Sequence, residues 1–244
     1  MRQGPIARQL RRVAMLRPHR HPDSAVPADA LGTRYPEYRP TFRFRGRYLD
    51  AFHRSLDVAG PDGLINLGLE GWLRPADALK LYELAWFSPG DLLEFGTFHG
   101  LSTHIQSRAL LASGQRASIT SLELVPEYAA EAARHLQAPA ASHRFLVGDA
   151  RESARALIED GRRFGFAFVD HSHGYDLVEA ACQDLKRLVV PGGFALFHDF
   201  NDSRNTRGDA GYGVFQAVED AFADGSFRFW GVYGCTGLYR RARR

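Results

Sequence analysis

From Asp91 onward, short apolar runs alternate with stretches whose apolar positions recur every three or four residues. The runs Leu92–Phe95, Ser118–Leu124, Arg144–Val147, Phe164–Asp170 and Gly193–His198 predict strands. Leu101–Leu111, Pro126–Leu136, Glu152–Ile158, Tyr175–Val189 and Tyr212–Phe222 predict the helices that follow them. Two further runs, Phe227–Val232 and Gly234–Arg240, are joined only by a tight Tyr233-Gly234 link. Parallel neighbours need a crossover, which a helix supplies, whereas strands joined directly pair antiparallel. The expected fold class is therefore α/β: a seven-stranded sheet with five leading parallel strands, a terminal antiparallel hairpin and helices on both faces.

Upstream, Tyr48–Val58 and Pro75–Phe87 carry helical spacing, with Pro75 suited to a first turn. The chain divides on this pattern into a basic, irregular segment (1–46), a helical lid segment (47–90) and the sheet domain (91–244). Trp72, Tyr82 and Trp86 are the aromatic candidates of the lid segment. The Gly-rich run 208–213, with Tyr212, is expected as a loop beside the fifth strand. Of the 244 residues 45% are hydrophobic and 24% charged, which excludes wholesale disorder. No run of 18 apolar residues is present, so no membrane span is expected. Arginines interrupt the first segment, which is therefore not read as a secretory signal, and a cytoplasmic location is expected. Cys182 and Cys235 are expected as free thiols.

The net charge of +3 is uneven. Residues 1–22 and the last five residues together carry +10, and the stretch between them −7. The basic ends are read as solvated, frayed termini, and the acidic body argues against a nucleic-acid partner.

In such a sheet, ligands bind beyond the carboxyl ends of the strands, where strand order reverses. The first exit reads Glu94-Phe95-Gly96-Thr97-Phe98-His99-Gly100, an acid followed by G-x-x-x-G, which is not the dinucleotide fingerprint G-x-G-x-x-G. At the second exit stands Glu123, an acid of the kind that accepts ribose hydroxyl hydrogens. At the third is Gly148-Asp149-Ala150, where Asp149 suits either an adenine amino group or a helix cap. The fourth, Asp170-His171-Ser172-His173-Gly174-Tyr175-Asp176, is the densest ionisable cluster in the chain, and the fifth reads His198-Asp199-Phe200-Asn201-Asp202.

In order and spacing these five segments resemble class I S-adenosylmethionine-dependent methyltransferases on a Rossmann-like fold, over roughly Leu92 to Tyr239. More narrowly, the chain resembles the small-molecule O-methyltransferase-like subgroup whose fourth segment reads Asp-Gly-Asp-His-Ser-Tyr and whose fifth ends in His-Asp. Asp170, His173, Tyr175, His198 and Asp199 fall on that pattern. The resemblance implies methyl transfer to a small-molecule acceptor, a hydroxyl oxygen foremost. It implies cofactor contacts from Glu94, Gly96, Thr97, Phe98, Gly100, Ser102, Glu123, Asp149, Ala150 and Asp170. His173 and His198 are the candidate bases, with Asp170 or Asp199 orienting them. Catechol-type relatives hold a divalent metal such as Mg2+ with an Asp at the fourth exit and an Asp-Asn pair at the fifth. Here Asp170 and Asp199 are present, Phe200 takes the Asn place, and Asn201 is the substitute one residue on. His171 and Ser172 also depart from the Gly-Asp pair. The choice between a His/Asp base and metal assistance stays open at this point, as does a homodimer. Two other readings stay open as well: an NAD-dependent oxidoreductase, disfavoured by the glycine spacing, and a non-catalytic S-adenosylmethionine-binding scaffold.

Overall fold

The computed structural model describes residues 37–136, 142–206 and 211–243. Its strands are β1 (Leu92–Phe95), β2 (Ile119–Glu123), β3 (His143–Val147), β4 (Phe164–Val169), β5 (Val189–Phe197), β6 (Phe227–Tyr233) and β7 (Thr236–Arg241). Its α-helices are α1 (Ala51–Ser55), α2 (Pro75–Trp86), α3 (Leu101–Ser113), α4 (Pro126–Arg134), α5 (Ala150–Glu159), α6 (Tyr175–Leu188) and α7 (Val214–Phe222). They form one sheet of order β3-β2-β1-β4-β5-β7-β6. The first five strands are parallel, and β7 runs antiparallel to both β5 and β6. Strand order reverses between β1 and β4, so the crevice at their carboxyl ends is where a ligand is expected.

The buried side chains of the central strands divide between two cores. Phe166 and Phe168 of β4 join α2 and α3 on one face, while Phe164, Ala167 and Val169 join α5, α6 and α7 on the other. Both faces are buried, which is why these strands read as continuous apolar runs.

Three expectations are revised. β5 begins at Val189, directly after α6, because Val189 pairs with Phe164 and an irregularity then absorbs Pro191-Gly192-Gly193 before Phe194 meets Phe166. Helix α1 is only five residues long. Arg240 and Arg241 are not frayed: they lie in β7, with Arg240 Nε donating to Gly192 O and Arg241 to Val189 O. The remainder of the basic ends, residues 1–36 and Arg244, lies outside the described residues, as do residues 207–210 of the expected loop.

Helix α2 is buried almost all round, including Asp77, Lys80 and Glu83. Lys80 and Glu83 form an ion pair at 2.5 Å with both side chains fully buried. Lys80 Nζ also donates to Arg39 O and Thr41 Oγ1, and Glu83 Oε1 accepts from the amides of Thr41 and Phe42. This knot fastens residues 39–42 onto α2. Residues 37–46 form no helix or strand, as expected, yet Tyr38 and Phe42 belong to the core. Among the described residues no helix is long and apolar enough to cross a membrane.

Candidate active site

A cavity of about 620 Å3 opens at the carboxyl ends of β1, β4 and β5. This size lies within the range usual for small-molecule and cofactor sites. Its walls come from the lid segment (Glu70 to Arg74), the β1 turn (Thr97, Phe98), the start of α3 (Leu101, Ser102), the β4 exit (Asp170, His171, His173) and the β5 exit (His198, Asp199). Asp202, Arg204, Tyr212 and Cys235 complete it.

The β1 turn is held from below and from the side. Gly96 has φ +84 and sits directly on the β4 exit, where a Cβ would lie 2.2 Å from the Asp170 carbonyl oxygen. That contact leaves no room for a side chain, and the L residues that tolerate this φ are few. Phe98 also has a left-handed φ of +46. Its ring stacks on Trp72 at 5.1 Å and meets Tyr128 edge-on. Glu123 braces the turn: its Oε2 accepts from the Thr97 amide, the Thr97 hydroxyl and the Phe98 amide, and its Oε1 from the Val125 amide. Gly100 caps the start of α3, and Ser102 lines the cavity while donating to Glu94.

Glu94 does not line the cavity. It is fully buried beneath the turn and accepts hydrogen bonds from Ser102, Thr103, Gln106 and Ser121. Burial pushes its carboxyl up to about 7 against the bonds from Ser121, Ser102 and Thr103. The folded state therefore prefers the protonated acid, and stability falls as pH rises from the ordinary Glu value of 4.5 through about 7. The loss is on the order of 3 kcal/mol for a shift of this size. Urea denaturation at pH 5 and pH 8 should show this loss in the wild type and its disappearance in Glu94→Gln; parallel profiles for the two proteins would remove the explanation.

Asp149 stands at the rim and outside the cavity wall. It accepts from the Arg151 amide at the start of α5 and pairs with the Arg151 guanidinium, which holds its carboxyl down at about 2. Ala150 begins α5 beside it. Of the ten residues expected to touch a cofactor, Thr97, Phe98, Ser102 and Asp170 share the cavity wall. Gly96, Gly100 and Glu123 shape and brace that wall from behind.

The catalytic candidates converge. His198 lies 6% exposed at the end of β5, with Nδ1 at 3.2 Å from Asp170 and 3.3 Å from Asp199. Burial alone would lower its pKa, but the charges of Asp170, Cys235 and Asp199 carry it well above the usual imidazole range. Burial likewise opposes ionisation of Asp199, and His198 and His173 overcome it, holding that carboxyl far below the carboxylate range. Asp199 has φ +54, a strained backbone at the junction of these contacts. His173 Nε2 lies 2.9 Å from Asp199 Oδ2, and its ring stacks on Tyr212 at 4.7 Å. Arg204 covers the other part of Tyr212, 4.0 Å from the ring centre. His171 packs edge-on against Phe95, and burial lowers it to about 4.

The amide nitrogen of Asn201, the third residue of the expected metal set, donates to Gly234 O at 3.4 Å. Phe200 points into the core, fully buried. The donor atoms that do gather are those of Asp170, His198 and Asp199.

Sequence reasoning passed over four wall residues, Glu70, Arg74, Arg204 and Cys235, and also Asp77. The signal for Asp77 was an acid between Ala76 and Ala78 in the first turn of α2, and for Cys235 its place in a two-residue hairpin loop. Of the lid aromatics only Trp72 reaches the cavity. Tyr82 is fully buried and Trp86 packs against the same core. Both cysteines are free and buried.

No curated protein matches the chain. Residues 93–200 match the model of a family described as a methyltransferase domain. Among solved structures, an O-methyltransferase from Bacillus cereus in complex with SAH is 17% identical, with a TM-score of 0.57, covering 69% of this chain and 82% of that one. TomG, an O-methyltransferase from Streptomyces achromogenes involved in tomaymycin synthesis and solved with SAM, is 22% identical, with a TM-score of 0.53, covering 78% and 86%. Aeropyrum pernix fibrillarin with bound S-adenosyl-L-methionine is 14% identical, with a TM-score of 0.51, covering 66% and 69%. At these identities the likeness establishes the fold. Sheet order, the glycine turn on β4 and the family match agree on the fold: the chain has the Rossmann-like class I methyltransferase fold, and residues 93–200 match a methyltransferase domain.

Proposed function

We propose that the protein transfers a methyl group from S-adenosylmethionine to a hydroxyl oxygen of a small molecule, with His173 as the general base. The carrying observation is the His173–Asp199 pair, 2.9 Å apart in the wall of a cavity that begins at the Gly96 turn. The O-methyltransferases among the structural neighbours support the choice of oxygen.

The residues present suit the cofactor. The β1 turn and the first turn of α3 give a concave wall with backbone amides at a helix start, and Glu123 keeps acceptor capacity on Oε1. When bound, the cofactor supplies a sulfonium-activated methyl group. The chain aligns acceptor and donor, and alignment of this kind is worth on the order of 7–11 kcal/mol in favourable cases. Asp199 fixes the His173 ring through Nε2, leaving Nδ1 to take the proton of the acceptor hydroxyl as it attacks. His198 has one face of its ring against two carboxylates, so it orients Asp170 and Asp199 rather than serving as base. Trp72 and Phe98 screen the turn from water.

The donor set does not suit a magnesium-type ion. Such an ion takes oxygen ligands in near-octahedral array, whereas here the imidazole nitrogen of His198 lies 3.2 and 3.3 Å from the two carboxylates.

His173→Ala is expected to lower turnover about 100-fold while leaving the affinity for S-adenosylhomocysteine unchanged. Labelled donor with a panel of phenolic and sugar acceptors gives the first quantity and calorimetry the second. Full turnover in the variant would overturn the base assignment.

A further inference from the structure

The other face of the His198 ring meets a second cluster that methyl transfer does not use. Its Nε2 lies 3.3 Å from Cys235 Sγ, and Cys235 Sγ lies 3.9 Å from Asp77 Oδ2. The three donor atoms lie within 4.8 Å of one another, and all three residues are buried. They come from three distant parts of the chain: the first turn of α2, the end of β5 and the β6–β7 hairpin loop.

We propose that Asp77, His198 and Cys235 form a binding site for a thiophilic divalent transition metal of the zinc class. Zinc bonds of about 2.3 Å to sulfur and about 2.0 Å to nitrogen or oxygen, spread tetrahedrally, put sulfur about 3.5 Å from its neighbours. The two sulfur distances, 3.3 and 3.9 Å, bracket that value. One thiolate, one imidazole and one carboxylate are soft and borderline ligands that magnesium and calcium do not select. Three protein ligands leave a fourth position open, and Asp199 Oδ1 lies 3.8 Å from the sulfur on that side.

The surroundings are those of a ligand set held in place. Asp77 Oδ1 accepts from the Cys235 amide at 2.7 Å and Oδ2 from the Arg74 amide at 2.9 Å, which fixes the carboxylate plane. Gly234 has φ +60, and a Cβ there would fall 2.2 Å from Asp77 Oδ1, so the hairpin loop is seated directly on the acid. His198 Nδ1 faces Asp170 and Asp199, the carboxylate–imidazole–metal arrangement that orients a ligating histidine. His198 and Cys235 line the cavity, which provides a way in. On binding, Cys235 loses its thiol proton and His198 its Nε2 proton, and both leave to solvent. The metal then ties the lid segment to the end of the sheet. This inference uses the geometry alone and does not depend on His173 or on the nature of the acceptor.

The test uses the full chain, freed of metal by a chelator and titrated with Co2+ and then Zn2+. The wild type and Cys182→Ser should develop a thiolate-to-cobalt charge-transfer band that Zn2+ abolishes, while Cys235→Ser lacks the band. Asp170→Asn should weaken Zn2+ binding about 10- to 100-fold. A wild type without the band at saturating Co2+, or a Cys235→Ser that keeps it, overturns the proposal. A second reading needs no variant: Zn2+ should protect Cys235 of the wild type from alkylation, read by mass spectrometry, and equal labelling with and without Zn2+ would equally overturn it.

Discussion

Gly96→Val is expected to abolish binding of S-adenosylhomocysteine and to destabilise the fold by about 3 kcal/mol or more. Two effects add. A β-branched residue at φ +84 is strained by about 1–3 kcal/mol, and the new atoms overpack a closed site at a further cost of about 1–3 kcal/mol. The obstacle is specific: Cβ would lie 2.2 Å from Asp170 O, 2.8 Å from Asp170 C and 2.9 Å from His171 Cα. These are backbone atoms and have no rotamer to change. Relief has to come from moving the β1 turn off the β4 exit. That motion would pull the Thr97 and Phe98 amides from Glu123 and displace Asp170. Donor affinity is thus lost through the protein's own main chain rather than through a side chain protruding into the ligand. Calorimetry and urea denaturation measure the two effects, and a Gly96→Val protein that binds and melts like the wild type would contradict the close packing.

Lys80→Met should destabilise the protein by about 3–5 kcal/mol, the usual consequence of stranding one charge of a buried pair. Both side chains are fully buried, and Glu83 would keep the Thr41 and Phe42 amides but lose its cation. Lys80 Nζ also lies 4.0 Å from the centre of the Tyr233 ring, so the loss extends to the hairpin. The double variant with Glu83→Gln should be more stable than Lys80→Met alone, because it removes the stranded charge. Equal denaturation midpoints for the two would show that lost packing, not charge, sets the cost.

The parallel sheet was legible because β1, β2 and β4 are buried on both faces and each of the five leading strands is followed by a helix. Phe164–Val169 is the clearest case, since every residue in it is buried. The start of β5 was not, because Pro191-Gly192-Gly193 has the composition of a turn, and only pairing of Val189 with Phe164 keeps it in the sheet. At the site, the glycine turn and the two His/Asp exits are local features that chain position alone brings to one edge. The brace from Glu123 to Thr97, the Lys80–Glu83 knot on Thr41 and the approach of Asp77 to Cys235 span 26, 39 to 42 and 158 positions. Contacts of that range follow from how β1, β2, α2 and the hairpin come together, which no periodicity records. The same blindness hid Cys235 as a neighbour of His198, since the two belong to different elements.

The lane taken by β7 has a consequence for the order of assembly. The seventh strand in the chain is interior to the sheet, between β5 and β6. A ribosome that has released Tyr233 but not Arg241 therefore carries two strands of like direction with a vacant track between them, two inter-strand spacings or about 9.6 Å wide. Until the last strand slots in, β5 keeps a bare edge of the kind that recruits foreign strands, so a nonsense mutation inside this short stretch should yield aggregates rather than a shortened enzyme.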